Sequence, residues 1–189
     1  NPACVAASLL AQAEHGSGRE YVFLVSENHS VIELAITEIE RQIETLSHSE
    51  VIRSTLESGL CVIDAENEKG IIEVANFIAP EHLELQVADP KVERFTAAIQ
   101  TAGAILQGHN TPTVLGDFAA GPSHVLPTGR SSRFSSGLRL SDFLRRSSTV
   151  RYDRSSLRKA ESVISRFSAM ESLDAHGRTL SIRLEIPED

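Results

Sequence analysis

The sequence predicts an α/β protein: an incomplete, Rossmann-like, doubly wound and mainly parallel sheet, followed by a small helical tail domain. Three observations carry that prediction. Short apolar runs of strand length alternate with amphipathic helical segments through residues 2–106, as expected of a parallel sheet covered by helices. From Ser141 onward only helical signals remain. The charge also changes sign along the chain: residues 1–128 hold 6 basic and 18 acidic side chains, and residues 129–189 hold 12 basic and 8 acidic. The expected domains are 1–137, a partial Rossmann-like body, and 138–189, a mostly helical tail.

Each element has its own signal. Asn1 caps a first helix over 2–15, with Pro2 in its first turn and Gly16 as its stop. Tyr21-Val22-Phe23-Leu24-Val25 reads as a buried strand. Ile32, Ala35, Ile36, Ile39, Ile43 and Leu46 repeat at three and four residues, which predicts an amphipathic helix over 30–46. A helix over 49–58 ends at Gly59, and Leu60-Cys61-Val62-Ile63 is the next strand. The spacing predicts a helix over 67–78 stopped by Pro80, a strand over 83–87, a helix from Pro90 to Thr101 and a strand over 104–106. Residues 107–137 are rich in Gly, Pro, Ser and Thr and show no period, so they read as a long loop, functional or disordered. A short helix starts at Ser141, a longer one follows a cap at Asp153 or Ser155, and a last one spans Leu173 to Leu184. In an open parallel sheet, ligands are expected beyond the carboxyl ends of the strands.

The bulk properties exclude several classes. A net charge of −8 argues against nucleic acid, whose phosphates demand Lys and Arg. No apolar run approaches the roughly 18 residues of a membrane span. The amino terminus has no charged region followed by an apolar stretch, so no secretory signal is read there. It lacks a starting Met and enters a helical pattern at once, as expected of a chain missing an upstream segment. Cys4 and Cys61 form no C-x-x-C and no disulfide framework, which fits a reducing cytoplasm. Both are read as small buried hydrophobes. The basic tail is expected to dock on an acidic body, its own or a partner's.

Four segments could carry chemistry. Gln12 and His15 are three apart near the end of the first helix, so they share a face and could grip one metal ion. The plain alternative is a surface imidazole near a helix carboxyl end. Glu81 and His82 place a carboxylate beside an imidazole, two groups suited to proton transfer near neutral pH, though such neighbours are common by chance. In the long loop, Asp117 offers an oxygen ligand and His124 a substrate contact, against the alternative of an ordinary glycine-rich surface loop. Glu171 and His176, five apart, would not align on one ideal helix, yet both could reach one ligand from a helix end. A solvated face is the other reading.

Together these segments resemble histidinol dehydrogenase, in order and in separation. The resemblance runs through Gln12-Ala13-Glu14-His15-Gly16, Pro80-Glu81-His82-Leu83-Glu84, Gly116-Asp117, Gly121-Pro122-Ser123-His124-Val125-Leu126-Pro127-Thr128, Phe134-Ser135-Ser136-Gly137-Leu138 and Glu171-Ser172-Leu173-Asp174-Ala175-His176. It covers essentially the whole chain but less than half of a family member. It implies NAD-linked oxidation of L-histidinol to L-histidine through an aldehyde, with zinc held by Gln12, His15, Asp117 and His176. It further implies Glu81 and His82 as the acid/base pair, and His124 and Glu171 as substrate contacts beside the zinc ligands and His82. It implies a homodimer whose sites are shared, with Glu171 and His176 reaching the neighbouring subunit. No G-x-G-x-x-G opens a helix after a strand here, so the resemblance places NAD on an upstream domain and leaves this chain inactive alone. Two other readings remain at this point: a non-catalytic fragment that binds metal or dimerises, and a related dehydrogenase of another small alcohol.

Overall fold

The computed structural model describes residues 1–187, and its contacts divide the chain into Asn1–Phe143 and Leu144–Asp189. The larger unit opens with α1 (Pro2–Ala13), whose first N–H groups, of Ala3 and Cys4, donate to the Asn1 side chain. β1 (Val22–Ser26) follows, then α2 (His29–Ile43), α3 (Ser49–Gly59) and β2 (Leu60–Asp64). Ala6, Leu9, Leu10 and Ala13 of α1 pack with Ile32, Ala35, Ile39 and Ile43 of α2, Ile52 of α3 and Val22 and Leu24 of β1. The three- and four-residue spacing of those apolar positions is therefore what sets the helices against the strand.

α4 (Glu68–Ile78) is capped by the Asn67 side chain and ends at Ala79, a left-handed residue (φ 51°) just before Pro80. β3 (His82–Leu85), α5 (Asp89–Ala98) and β4 (Ala104–Gln107) complete the αβ alternation. The strands form two parallel pairs, Val22↔Leu60 opening one and His82↔Ala104 the other. Parallel neighbours need a helical crossover, which α2 with α3, and α5, provide. On one face of the second pair, Leu83, Leu85 and Ile105 join Ala75, Phe95 and Ile99 in a second core. Side chains alternate along a strand, so His82 and Glu84 point to the other face.

The tail unit contains α7 (Arg154–Met170, capped by Asp153) and α8 (Asp174–Glu185). The Ser156 backbone N–H, then its hydroxyl, hold the Asp153 carboxyl below its ordinary range. Arg154 donates to the carbonyls of Arg183, Leu184 and Ile186, so the start of α7 closes the end of α8 and the two helices run antiparallel. The whole is a mixed α/β chain with short parallel sheets and a helical tail.

Three expectations change. Residues 107–137 are not all loop: α6 (Thr113–Phe118) lies within them, with a 3₁₀ turn at Ser131–Arg133. A six-residue helix that buries only Thr113 is too short to show a period. The segment beginning at Ser141 is a 3₁₀ turn, Leu140–Phe143, not an α-helix. Both cysteines are exposed, not buried. Cys4 lies opposite the face formed by Ala6, Leu9, Leu10 and Ala13, and Cys61 with Val62 occupies the open middle of β2.

Candidate active site

Glu81 and His82 sit where α4 gives way to β3, and the backbone there is held on both sides. Gly103 N–H donates to the Pro80 carbonyl (2.9 Å) and Ala104 N–H to the Glu81 carbonyl (2.8 Å). Position 103 has no room for a side chain: a Cβ would stand 2.7 Å from the Glu81 carbonyl oxygen and 3.1 Å from the Pro127 ring. Gly103→Ala is therefore expected to lower unfolding free energy by about 1–3 kcal/mol through overpacking. A urea midpoint equal to that of the parent would show that this junction yields instead.

His82 is the first residue of β3, so the pair stands at the amino end of its strand. The pair thus occupies the helix-to-strand junction expected for it, at the amino end of β3 and not beyond a carboxyl end. Thr113, at the start of α6, donates its N–H (2.6 Å) and hydroxyl (2.8 Å) to Glu84, and four residues later Asp117 reaches His82. The helix thus runs back along β3 toward its amino end. His82 Nε2 and Asp117 Oδ1 are 3.6 Å apart, with side chains only 18% and 24% exposed. That spacing is electrostatic contact, longer than a hydrogen bond.

Gln12 lies in the last turn of α1, and His15 follows its end, exposed. The Ser8 hydroxyl, one turn before Gln12 on the same face, accepts from the Gln86 amide (3.3 Å). α1 therefore lies against the β3 segment on its Ser8 side. Beyond His15, Glu20 closes the loop by accepting from the Ser17 and Arg19 N–H groups (2.8 and 3.1 Å). The Ser17 hydroxyl, then its N–H, hold the Glu20 carboxyl down to about 2.

His124 is exposed in the segment after α6. That segment is pinned to the same junction: Ser132 Oγ donates to the Ala79 carbonyl (2.9 Å) and Arg130 to the Phe77 carbonyl (2.7 Å). Arg130 also stacks over the Phe77 ring at 4.5 Å. Pro127 packs at Gly103, so His124, three residues earlier, lies within roughly 11 Å of it by chain length.

Within the tail unit, Glu171 ends α7 and His176 stands in the first turn of α8. They lie on different helices, which removes the misalignment expected for one helix. Both line a cavity of about 400 Å³ walled by Val163, Phe167 and Leu173.

Among the described residues no group of three or more His, Cys, Asp or Glu side chains is placed to hold one metal ion. Gln12 and His15 mark the end of α1, Asp117 stands beside His82, and His176 belongs to the tail unit. Their donors, two imidazole nitrogens, a carboxylate and an amide oxygen, suit zinc. Sequence reading passed over Glu84 and Thr113 as functional candidates. Glu84 stood inside the quoted Pro80–Glu84 run, but its role depends on α6, which has no sequence signal.

The comparisons agree on one family. The histidinol dehydrogenase family model matches residues 1–184. The chain is 42% identical over 184 residues to the histidinol dehydrogenase of Agrobacterium fabrum, covering 97% of this chain and 42% of that protein. It is 38% identical over 182 residues to that of Bacillus subtilis, covering 96% and 42%. The crystal structure of histidinol dehydrogenase from Elizabethkingia anophelis superposes with a TM-score of 0.86 at 29% identity, over 98% of this chain and 42% of that one. The chain thus spans about two fifths of the length of the relatives it matches. With its fold and a match along nearly its whole length, the chain belongs to the histidinol dehydrogenase family.

Proposed function

We propose that the protein carrying this chain oxidises L-histidinol to L-histidine through histidinal in two NAD-linked steps, as part of histidine biosynthesis. The observation that carries this reading is the shielded His82–Asp117 pair, 3.6 Å apart, next to Glu81 in a chain of this family. Zinc would be held by Gln12, His15, Asp117 and His176, a donor set free of thiolate. NAD would be bound by the part of the protein that this chain does not span, since no glycine-rich phosphate turn occurs here. The chain alone would then be inactive, and the protein would work in the cytoplasm as a homodimer. No helix among the described residues is long and apolar enough to cross a membrane.

When bound, zinc supplies a Lewis-acid template for the nitrogen-rich substrate and NAD supplies the hydride acceptor. His82 takes the hydroxyl proton of histidinol as the carbon-bound hydrogen departs as hydride. Glu81 then takes a proton from the water that adds to the aldehyde, and the resulting hydrate gives up the second hydride. His124 and Glu171 hold the substrate's polar groups, which fixes the reacting carbon against the pair. Shielding strengthens the field that the Asp117 carboxylate presents to the neighbouring His82 imidazole.

Metal analysis tests the assignment. The full-length protein is expected to carry about one zinc per active site, and His15→Ala to reduce that content sharply. Parental stoichiometry in the His15 variant would remove His15 from the ligand set.

A further inference from the structure

We propose that Glu84 is a positioning residue: its carboxylate, seated between Thr113 and Gln86, fixes α6 against β3 and so sets where Asp117 stands relative to His82. The inference rests on the functional reading above for what Asp117 does there, and on geometry alone for how it is placed.

Glu84 accepts at both of its oxygens. Oε1 takes the N–H and the hydroxyl of Thr113, at 2.6 and 2.8 Å, and Oε2 takes the Gln86 amide at 2.9 Å. Thr113 is 5% exposed, and no side chain of the preceding Pro112 caps α6, so Glu84 from β3 satisfies the start of that helix. A carboxylate is favoured there by the helix dipole as well as by the two donors.

The spacings match. Two residues of strand, from Glu84 back to His82, cover about 6.6 Å. Four residues of helix, from Thr113 to Asp117, rise about 6 Å and return to the same face. Once Glu84 holds Thr113, the antiparallel run of α6 brings Asp117 level with His82, where the 3.6 Å contact is found. Gln86 extends the connection to α1, because the amide that donates to Glu84 also donates to Ser8, one turn before Gln12. One carboxylate therefore ties together the three segments that carry Gln12, His82 and Asp117.

The test uses the full-length protein with Glu84→Ala, Glu84→Gln and Thr113→Ser, each checked for native circular dichroism. In the metal-free protein, the Thr113 amide is expected to exchange with solvent at least about tenfold faster in Glu84→Ala, having lost its acceptor. Zinc affinity, measured by competition with a chromogenic chelator, is expected to fall about 10–100-fold, the usual effect of removing a ligand's support. Glu84→Gln keeps an oxygen for Thr113 and should recover most of both quantities, as Thr113→Ser should. Slow Thr113 exchange in Glu84→Ala, or fast exchange in that variant with unchanged zinc affinity, overturns the proposal. If Glu84→Ala does not fold, the Gln variant decides: parental Thr113 protection supports the anchor, and its loss overturns it. A parent protein that binds no zinc, yet shows the expected exchange pattern, sinks the functional reading while α6 anchoring by Glu84 stands.

Discussion

His82→Ala in the full-length protein is expected to lower kcat about 10²–10⁴-fold while histidinol affinity changes far less. The expectation follows from when a base acts. Proton removal stabilises the transition state and contributes little to the ground-state complex, so its loss falls on turnover. The imidazole is well placed for this role, because it opens β3 at a backbone junction fixed by Gly103, Ala104 and the Pro127 ring. Glu81→Ala should divide the two half-reactions. Formation of the aldehyde needs no added water, and its oxidation does, so the Glu81 variant should retain more of the first step than of the second. Measuring each step separately, with histidinol and with histidinal as substrates, checks this. Equal loss in both would take water activation away from Glu81, and a His82 variant that lost affinity and kept kcat would make His82 a binding group.

Much of this arrangement was legible because the signals were local. The apolar repeat of Ile32, Ala35, Ile39 and Ile43 named the face of α2 that α1 covers. Pro80 and Gly103 marked breaks that the structure uses to hold Glu81 and His82. The parts that were not legible depend on contacts distant in sequence. α6 buries one residue, Thr113, and owes its place to a carboxylate 29 positions away, so no periodicity announces it. The junction that carries His82 was legible, but its neighbour was not, since only the backward course of α6 brings Asp117 to the amino end of β3. Cys61 was read as a small buried hydrophobe, but residue type and a run of strand residues do not state how many neighbours the strand has. The family resemblance groups distant motifs that local patterns leave open, and of these the structure sets His82 beside Asp117.

Mixing two inactive variants should restore activity if the site is shared between subunits. His15 lies in the larger unit and His176 in the tail unit, and the two units carry opposite charge, 9 basic against 19 acidic residues over 1–143 and 9 against 7 over 144–189. Opposite charges favour association, within a chain or between chains. The tail unit offers a reason to look to a second chain: Glu171 and His176 line one cavity of a two-helix unit in which Phe167 is 58% and Met170 80% exposed. If each site takes His15 from one subunit and His176 from the other, the His15→Ala and His176→Ala homodimers each lack a ligand in every site. After random subunit exchange, half of the dimers are mixed. In a mixed dimer one site receives both substitutions and the other receives neither. One intact site in two, in half of the dimers, predicts recovery of about a quarter of parental activity for a symmetric dimer. Zinc content should recover in the same proportion, which separates a restored ligand set from a nonspecific gain in turnover. If exchange is verified by native mass and neither activity nor zinc returns, His176 serves its own subunit's site or no site, and the shared arrangement is excluded.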